Sequence, residues 1–237
     1  MKTKRRLFLL MPLALLPAGC AVESMRTGPT RRESVRIARD ASEFLQVNLN
    51  MAAGNLKINP GTAEFLDGTV TYNVDSWKPV IAYSTAAGHG NLEVRQPGVR
   101  RSLAGHTRYE WDLRLAQGIP IDLTAHFGAG EADLNLGALT LRSVDVNMGV
   151  GQLRMDLRGS PKRDYDVRVR GGVGEAVIRL PHDVGVLAKA QGGIGSINTT
   201  GLHREGDRYV NDAYDRSRIT IHLDIQGGIG AITLISE

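Results

Sequence analysis

The chain has a single cysteine, Cys20. One thiol excludes an intramolecular disulfide framework and cysteine-cluster zinc sites. Aromatic residues are scarce, at 5% of the sequence. A charge excess on the mature part is missing as well. The whole chain carries 29 Lys+Arg against 25 Asp+Glu, but Lys2, Lys4, Arg5 and Arg6 lie in residues 1–19, leaving 25 against 25. Nucleic-acid binding needs a basic excess on the folded part, so that class has no support. No stretch after residue 50 has a convincing helical period. The longest apolar run, residues 7–16, is too short to cross a bilayer as a helix.

What is present begins with that run. A basic start, a short apolar core and the small pair Ala18-Gly19 make residues 1–19 an export signal. "LLPAGC" resembles a bacterial lipobox, with Pro17 where leucine is usual. The expectation is a lipoprotein acylated at Cys20 and held on the membrane by several acyl chains, since one chain anchors poorly. Arg5-Arg6 weakly resembles a twin-arginine signal. Residues 20–33 are polar and aperiodic and read as a tether. The fold then divides into a region 34–125 and a repeating β region 126–237, continuous with the first.

Self-similarity organises the remainder. Small-residue pairs recur at Ala52-Ala53-Gly54, Gly88-His89-Gly90, Gly128-Ala129-Gly130, Gly149-Val150-Gly151, Gly172-Val173-Gly174, Gly193-Ile194-Gly195 and Gly228-Ile229-Gly230. Strand-like alternation flanks them, as in "SVDVNMGV", "QLRMDL" and "RITIHLDI". Period two over such runs means half-buried strands. A bend at each pair absorbs an extra residue and keeps the apolar set on one side. Val150, Val173, Ile194 and Ile229 are accordingly expected to point inward. A phosphate-binding glycine loop would need a helix after the glycines, and strands follow instead. "GAGEADLNLG" resembles one calcium-binding nonapeptide unit, but the repeats are not nine residues apart. The fold class is therefore all-β: repetitive stacked strands, β-solenoid-like or a twisted sandwich.

"LQVNLNMAAGNLKINPGTAEFLDGTVTYNVDSWKPVIAYS" with "GHGNLEVRQP" resembles the N-terminal toastrack domain of LiaF-type cell-envelope proteins. "VNMGVGQLRMDL", "RGGVGEAVIRLP" and "GGIGAITLI" resemble the repeating strands of that fold. The resemblance spans about residues 34–237. It implies a β-rich rack, an envelope location outside the cytoplasmic membrane and, for some members, a link to envelope stress. It carries no catalytic residues. The transmembrane helices of LiaF-type proteins are missing, and Cys20 stands in their place as anchor.

Chemistry-bearing constellations are few. His89, His106, His126, His182, His203 and His222 form no metal-ligand spacing. There is no Gly-x-Ser-x-Gly elbow. Asp164 and Asp166 could share a strand face, and Asp112 could neighbour Asp122, as glycoside hydrolysis would require of paired acids. Neither makes a convincing site. Trp77 and Trp111 read as core, and His89 as part of an end rung. "GDRYVNDAYD" reads as an exposed contact loop carrying Arg208, Tyr209, Asn211 and Tyr214. No catalytic, cofactor or metal residues are expected. The reading is a non-catalytic envelope module for recognition or scaffolding, with an envelope protein or cell-wall component as partner. The alternative is a polysaccharide-binding or polysaccharide-acting β-helical protein.

Overall fold

The computed structural model describes residues 27–97 and 107–237. Cys20 and the signal lie outside the described residues. Thirteen strands join in one sheet: β1 Arg31–Ile37, β2 Phe44–Thr62, β3 Leu66–Tyr72, β4 Val80–Ala86, β5 His89–Arg95, β6 Tyr109–Ala116, β7 Pro120–Asn135, β8 Thr140–Asp156, β9 Tyr165–Leu180, β10 Gly185–Thr200, β11 His203–Glu205, β12 Arg208–Val210 and β13 Thr220–Ser236. β1 begins at Arg31, inside the segment read as tether. The described residues contain no α-helix, only a 3₁₀ turn at Asp75–Trp77.

Six strands of 16–19 residues set the architecture. They stack in parallel in the order β2-β7-β8-β9-β13-β10. Each bends once, giving a first arm (residues 44–51 in β2) and a second arm (residues 55–62). Along β8, Val144, Val146 and Met148 are buried before the bend and Leu153 and Met155 after it. Buried positions switch from even to odd numbers. The small-residue pair provides that switch, so the apolar sets of both arms line the same core. Leu136 and Leu139, in the short link from β7 to β8, are also buried there.

Below β2 the arms part. β5 continues the first arm and β6 the second, both parallel to β2. β4 pairs with β5, and β3 with β1 extends the β6 side. Trp77, Trp111 and Tyr109 close this end of the core, with Trp77 edge-on to Tyr109 at 5.6 Å. Burial pushes the Tyr109 phenol up to about 12. Trp77 and Trp111 are thus core residues, as the alternation suggested. At the opposite end, β13 inserts between β9 and β10, and the β12–β11 hairpin pairs with β10 through Leu187 and Ala188, with Lys189 3.5 Å from Asp207 in its turn.

Two expectations need correction. Gly88-His89-Gly90 is not a bend. Ala87 (φ 51°) and Gly88 (φ 78°) form the two-residue turn of the β4–β5 hairpin, leaving six copies of the device. His89 is exposed at the start of β5, with its ring 3.9 Å from that of Phe44. The middle residues of the bends also point the other way. Val150 (54% exposed), Val173 (43%), Ile229 (51%) and Ile194 (72%) stand in solvent on the convex side. The inward residues flanking the β8 bend are Met148 and Leu153. Of the four residues between them, Gly149-Val150-Gly151 turn the corner, and a side chain at its apex has nowhere to go but out.

Candidate functional site

The convex corner concentrates the unusual features of the surface. Ala53, Ala129, Val150, Val173, Ile229 and Ile194 are paired in register from rung to rung. At a strand spacing of about 4.8 Å the line runs about 24 Å. Among the described residues, Val80 is the only exposed large hydrophobic off this line. Scattered exposed apolar residues need no explanation, but a contiguous line of them marks a contact surface.

Glycines make the line a ridge. The second glycine of each bend has a φ between +126° and +148°. A Cβ on Gly151 would stand 1.8 Å from the carbonyl oxygen of Gly130 in the rung below. The apolar side chains therefore project between two ladders that have no side chains. Ala52 replaces the first glycine only in the lowest copy. There the neighbour below is a side chain: Gln96 Oε1 accepts from the amides of Ala52 and Ala53 at 2.8 and 3.1 Å. Gln96 is 5% exposed, and its Nε2 has no partner among the described residues.

Beside the first glycines runs an open depression of about 870 Å³, lined by Arg95, Gln96, Asn50, His126, Asn147 and Arg170 with Gly128, Gly149 and Gly172. Register extends this wall to Gln226 and Gln191, so the in-register series reads Arg95, Asn50, His126, Asn147, Arg170, Gln226, Gln191. All seven side chains can hydrogen-bond and none is a carboxylate. Arg95 and Arg170 lie 3.6 and 3.7 Å from Glu93 and Asp145, looser than the best ion pairs of the surface. Across the corner, the equivalent positions include Glu131 and Glu175 and no cation. The two flanks of the ridge therefore differ: a hydrogen-bonding row with two guanidiniums on one, and on the other Glu131 and Glu175, with Arg154 3.9 Å from Glu131.

A second concavity on the second arm brings carboxylates together. Glu110 and Glu131 flank Asn55, and Asp112 and Asp133 flank Lys57, across three strands. Arg108 bonds Glu110 at 2.8 Å. A general acid is made by burial that keeps its proton on. Here Asp112, Glu131 and Asp133 are exposed on an open sheet. The pairs weighed from sequence do not form. Asp112 lies on the second arm and Asp122 on the first, with β2 between their strands. Asp164 accepts from the Thr220 amide, while Asp166 faces His222 at 3.7 Å. Among the described residues no group of His, Cys, Asp or Glu could hold a metal ion.

The loop chosen from sequence is partly structural. Asn211 is 2% exposed and clamps the upper end. Its Nδ2 donates to the Val184 carbonyl at 2.8 Å, and its Oδ1 accepts from the amides of Val186 and Tyr214. It therefore cannot serve as an outward contact. Arg208 lies over the Tyr214 ring at 5.4 Å, and Tyr209 pairs with Ala188. This loop and the corner are different surfaces. Sequence reasoning missed the corner because it placed the apex residues inside.

Stacked bent strands with a glycine-lined corner define an all-β rack. The chain belongs to the family of Toast_rack_N, the N-terminal domain of toast_rack, whose model matches residues 26–179. It is similar to the crystal structure of a candidate cell adhesion protein from Clostridium sporogenes, at 32% identity and a TM-score of 0.86, over 88% of this chain and 100% of that one. It also matches a candidate adhesin from Bacteroides fragilis at 12% identity and a TM-score of 0.33, over 87% of this chain and 97% of that one. No curated protein matches the chain.

Proposed function

We propose that this protein is a non-catalytic recognition or scaffolding module of the cell envelope, tethered to the outer side of the cytoplasmic membrane or beyond by acylated Cys20. It binds an envelope protein or cell-wall component along the convex corner. The observation that carries this reading is the ridge from Ala53 to Ile194 beside the donor-rich wall from Arg95 to Gln191. Apolar contact along the ridge supplies affinity, and the polar wall fixes register and selectivity. The similar Clostridium sporogenes protein, described as a candidate for cell adhesion, fits the same class. Dual donor–acceptor side chains such as Asn50, Asn147, Gln191 and Gln226 also suit a polyhydroxylated chain, which supports polysaccharide binding as the second reading.

The test is crosslinking in cells followed by co-purification, with Cys20→Ser and Val173→Asp/Ile229→Asp as comparisons. A recurrent protein partner lost in the ridge variant supports scaffolding. Glycan fragments lost in the same variant support the second reading. Capture that is unchanged by the ridge variant contradicts both.

A further inference from the structure

Among the described residues, the upper end of the rack is left open. β10 pairs with β13 along its length, but its other edge is paired only at Leu187 and Ala188. Among the described residues, 189–200 have no strand on that side. Alternate N–H and C=O groups there are available to another strand. Natural edges are protected by charge, proline or brevity. Residues 190–202, "AQGGIGSINTTGL", contain no charged residue and no proline.

The core is also unfinished at this end. Positions equivalent to Ile197 are Leu56, Ala132, Leu153, Ala176 and Ile232, all buried. Ile197 itself is only half-buried, as is the inward Thr199. The lower end shows what a finished end looks like, with Trp77, Tyr109 and Trp111 over the core. Terminal units of stacked folds need such caps; among the described residues, only the half-buried Leu202 and Tyr209 pack against the core beside β10.

We infer that the second arm of β10 pairs edge to edge with the same arm of a second copy of this chain, antiparallel about a two-fold axis. Charge decides between a second copy stacked head to tail and one related by a two-fold. At the lower end the second-arm edge is β1, which carries Arg31, Arg32, Glu33 and Arg36. Head-to-tail stacking would lay that charged edge on a neutral one. β4, the other lower edge, belongs to the first arm, and its Tyr83 is tied to Asp40 at 2.7 Å. β11 is three residues long and reads His203-Arg204-Glu205. Two-fold pairing sets neutral edge on neutral edge and closes, so it yields a dimer and not a filament. Antiparallel pairing keeps both inward faces on one side, so Ile197 of each copy covers the open core of the other.

The test is sedimentation velocity of the full chain carrying Cys20→Ser, from about 1 to about 100 µM, the range in which a modest interface declares itself. A concentration-dependent dimer is expected. Ser196→Lys and Asn198→Lys, both at exposed positions, each weaken it at least about tenfold while circular dichroism is unchanged. Val150→Lys on the corner leaves dimerisation as it was, which separates this surface from the one proposed for partner binding. A wild-type chain that stays monomeric throughout, or a dimer indifferent to both β10 variants, overturns the inference.

Discussion

A Cβ on Gly174 would lie 1.8 Å from the carbonyl oxygen of Gly151, one rung below, at a φ of +144°. Two separate costs meet at this position: a backbone region that L-residues rarely adopt, and a close approach of backbone to backbone. Gly174→Ala should destabilise the fold by about 3 kcal/mol, read as a lower urea midpoint. Gly171→Ala is the control, because the nearest atoms to its Cβ lie at 4.0 Å. It should change stability by less than about 1 kcal/mol. Equal losses at the two sites would remove the corner's special status.

The lower end of the corner is capped by one side-chain amide, that of Gln96. Gln96→Met keeps the length of the side chain and removes the acceptor for the Ala52 and Ala53 amides. Leaving two backbone donors without a partner should cost about 1–3 kcal/mol. Hydrogen exchange should show those amides opening ahead of the stack above. Unchanged exchange would mean that other groups cap the corner.

The bends show what pattern reasoning can reach. Alternation and the recurring glycines made the stacked strands and the parity switch legible, because both follow from period two along one chain. The direction of Val150 was not legible. Its type argued for the core, and alternation cannot say which of three corner residues turns outward. The glycines on both sides of it were the signal available: a residue with no side-chain neighbours in sequence sits poorly in a packed interior. The insertion of β13 between β9 and β10 was equally hidden, since similarity among copies carries no order in space. Gly88-His89-Gly90 shared the spelling of a bend but follows a two-residue hairpin. Asn211 looked like loop polarity and is a buried clamp.

That clamp can be tested by charge. In Asn211→Asp the donors to the Val184 and Pro181 carbonyls are lost and a carboxylate faces those oxygens. A loss of about 2–4 kcal/mol is expected, larger than for Tyr214→Ala at the loop surface. Thermal unfolding of the two variants makes the comparison, and equal losses would assign Asn211 no special place.

The C-terminus is tied by charges. Arg158 bonds both Asp156 and Glu237, and Arg179 also reaches Glu237. The hydrogen bond from Arg158 holds the Asp156 carboxyl below its ordinary range, against the smaller effect of burial. A folded-state pKa below the unfolded one stabilises above the unfolded value, and that gain is lost as pH falls through the folded value. Asp156→Asn should therefore lower stability at pH 7 and make little difference below about pH 3, near or under the ordinary carboxylate range. Because the carboxylate keeps partial contact with solvent, the effect at pH 7 should stay within about 1 kcal/mol. Urea midpoints at the two pH values decide it, and a difference that persists at low pH would contradict the pairing.

The most direct test of the corner as a recognition surface pairs folding with capture in Val173→Asp/Ile229→Asp. Both side chains are about half exposed, so urea unfolding should move by no more than about 1 kcal/mol while the crosslinked partner disappears. A variant that unfolds readily yet still captures the partner would contradict the claim, making the ridge a piece of the core and placing recognition elsewhere.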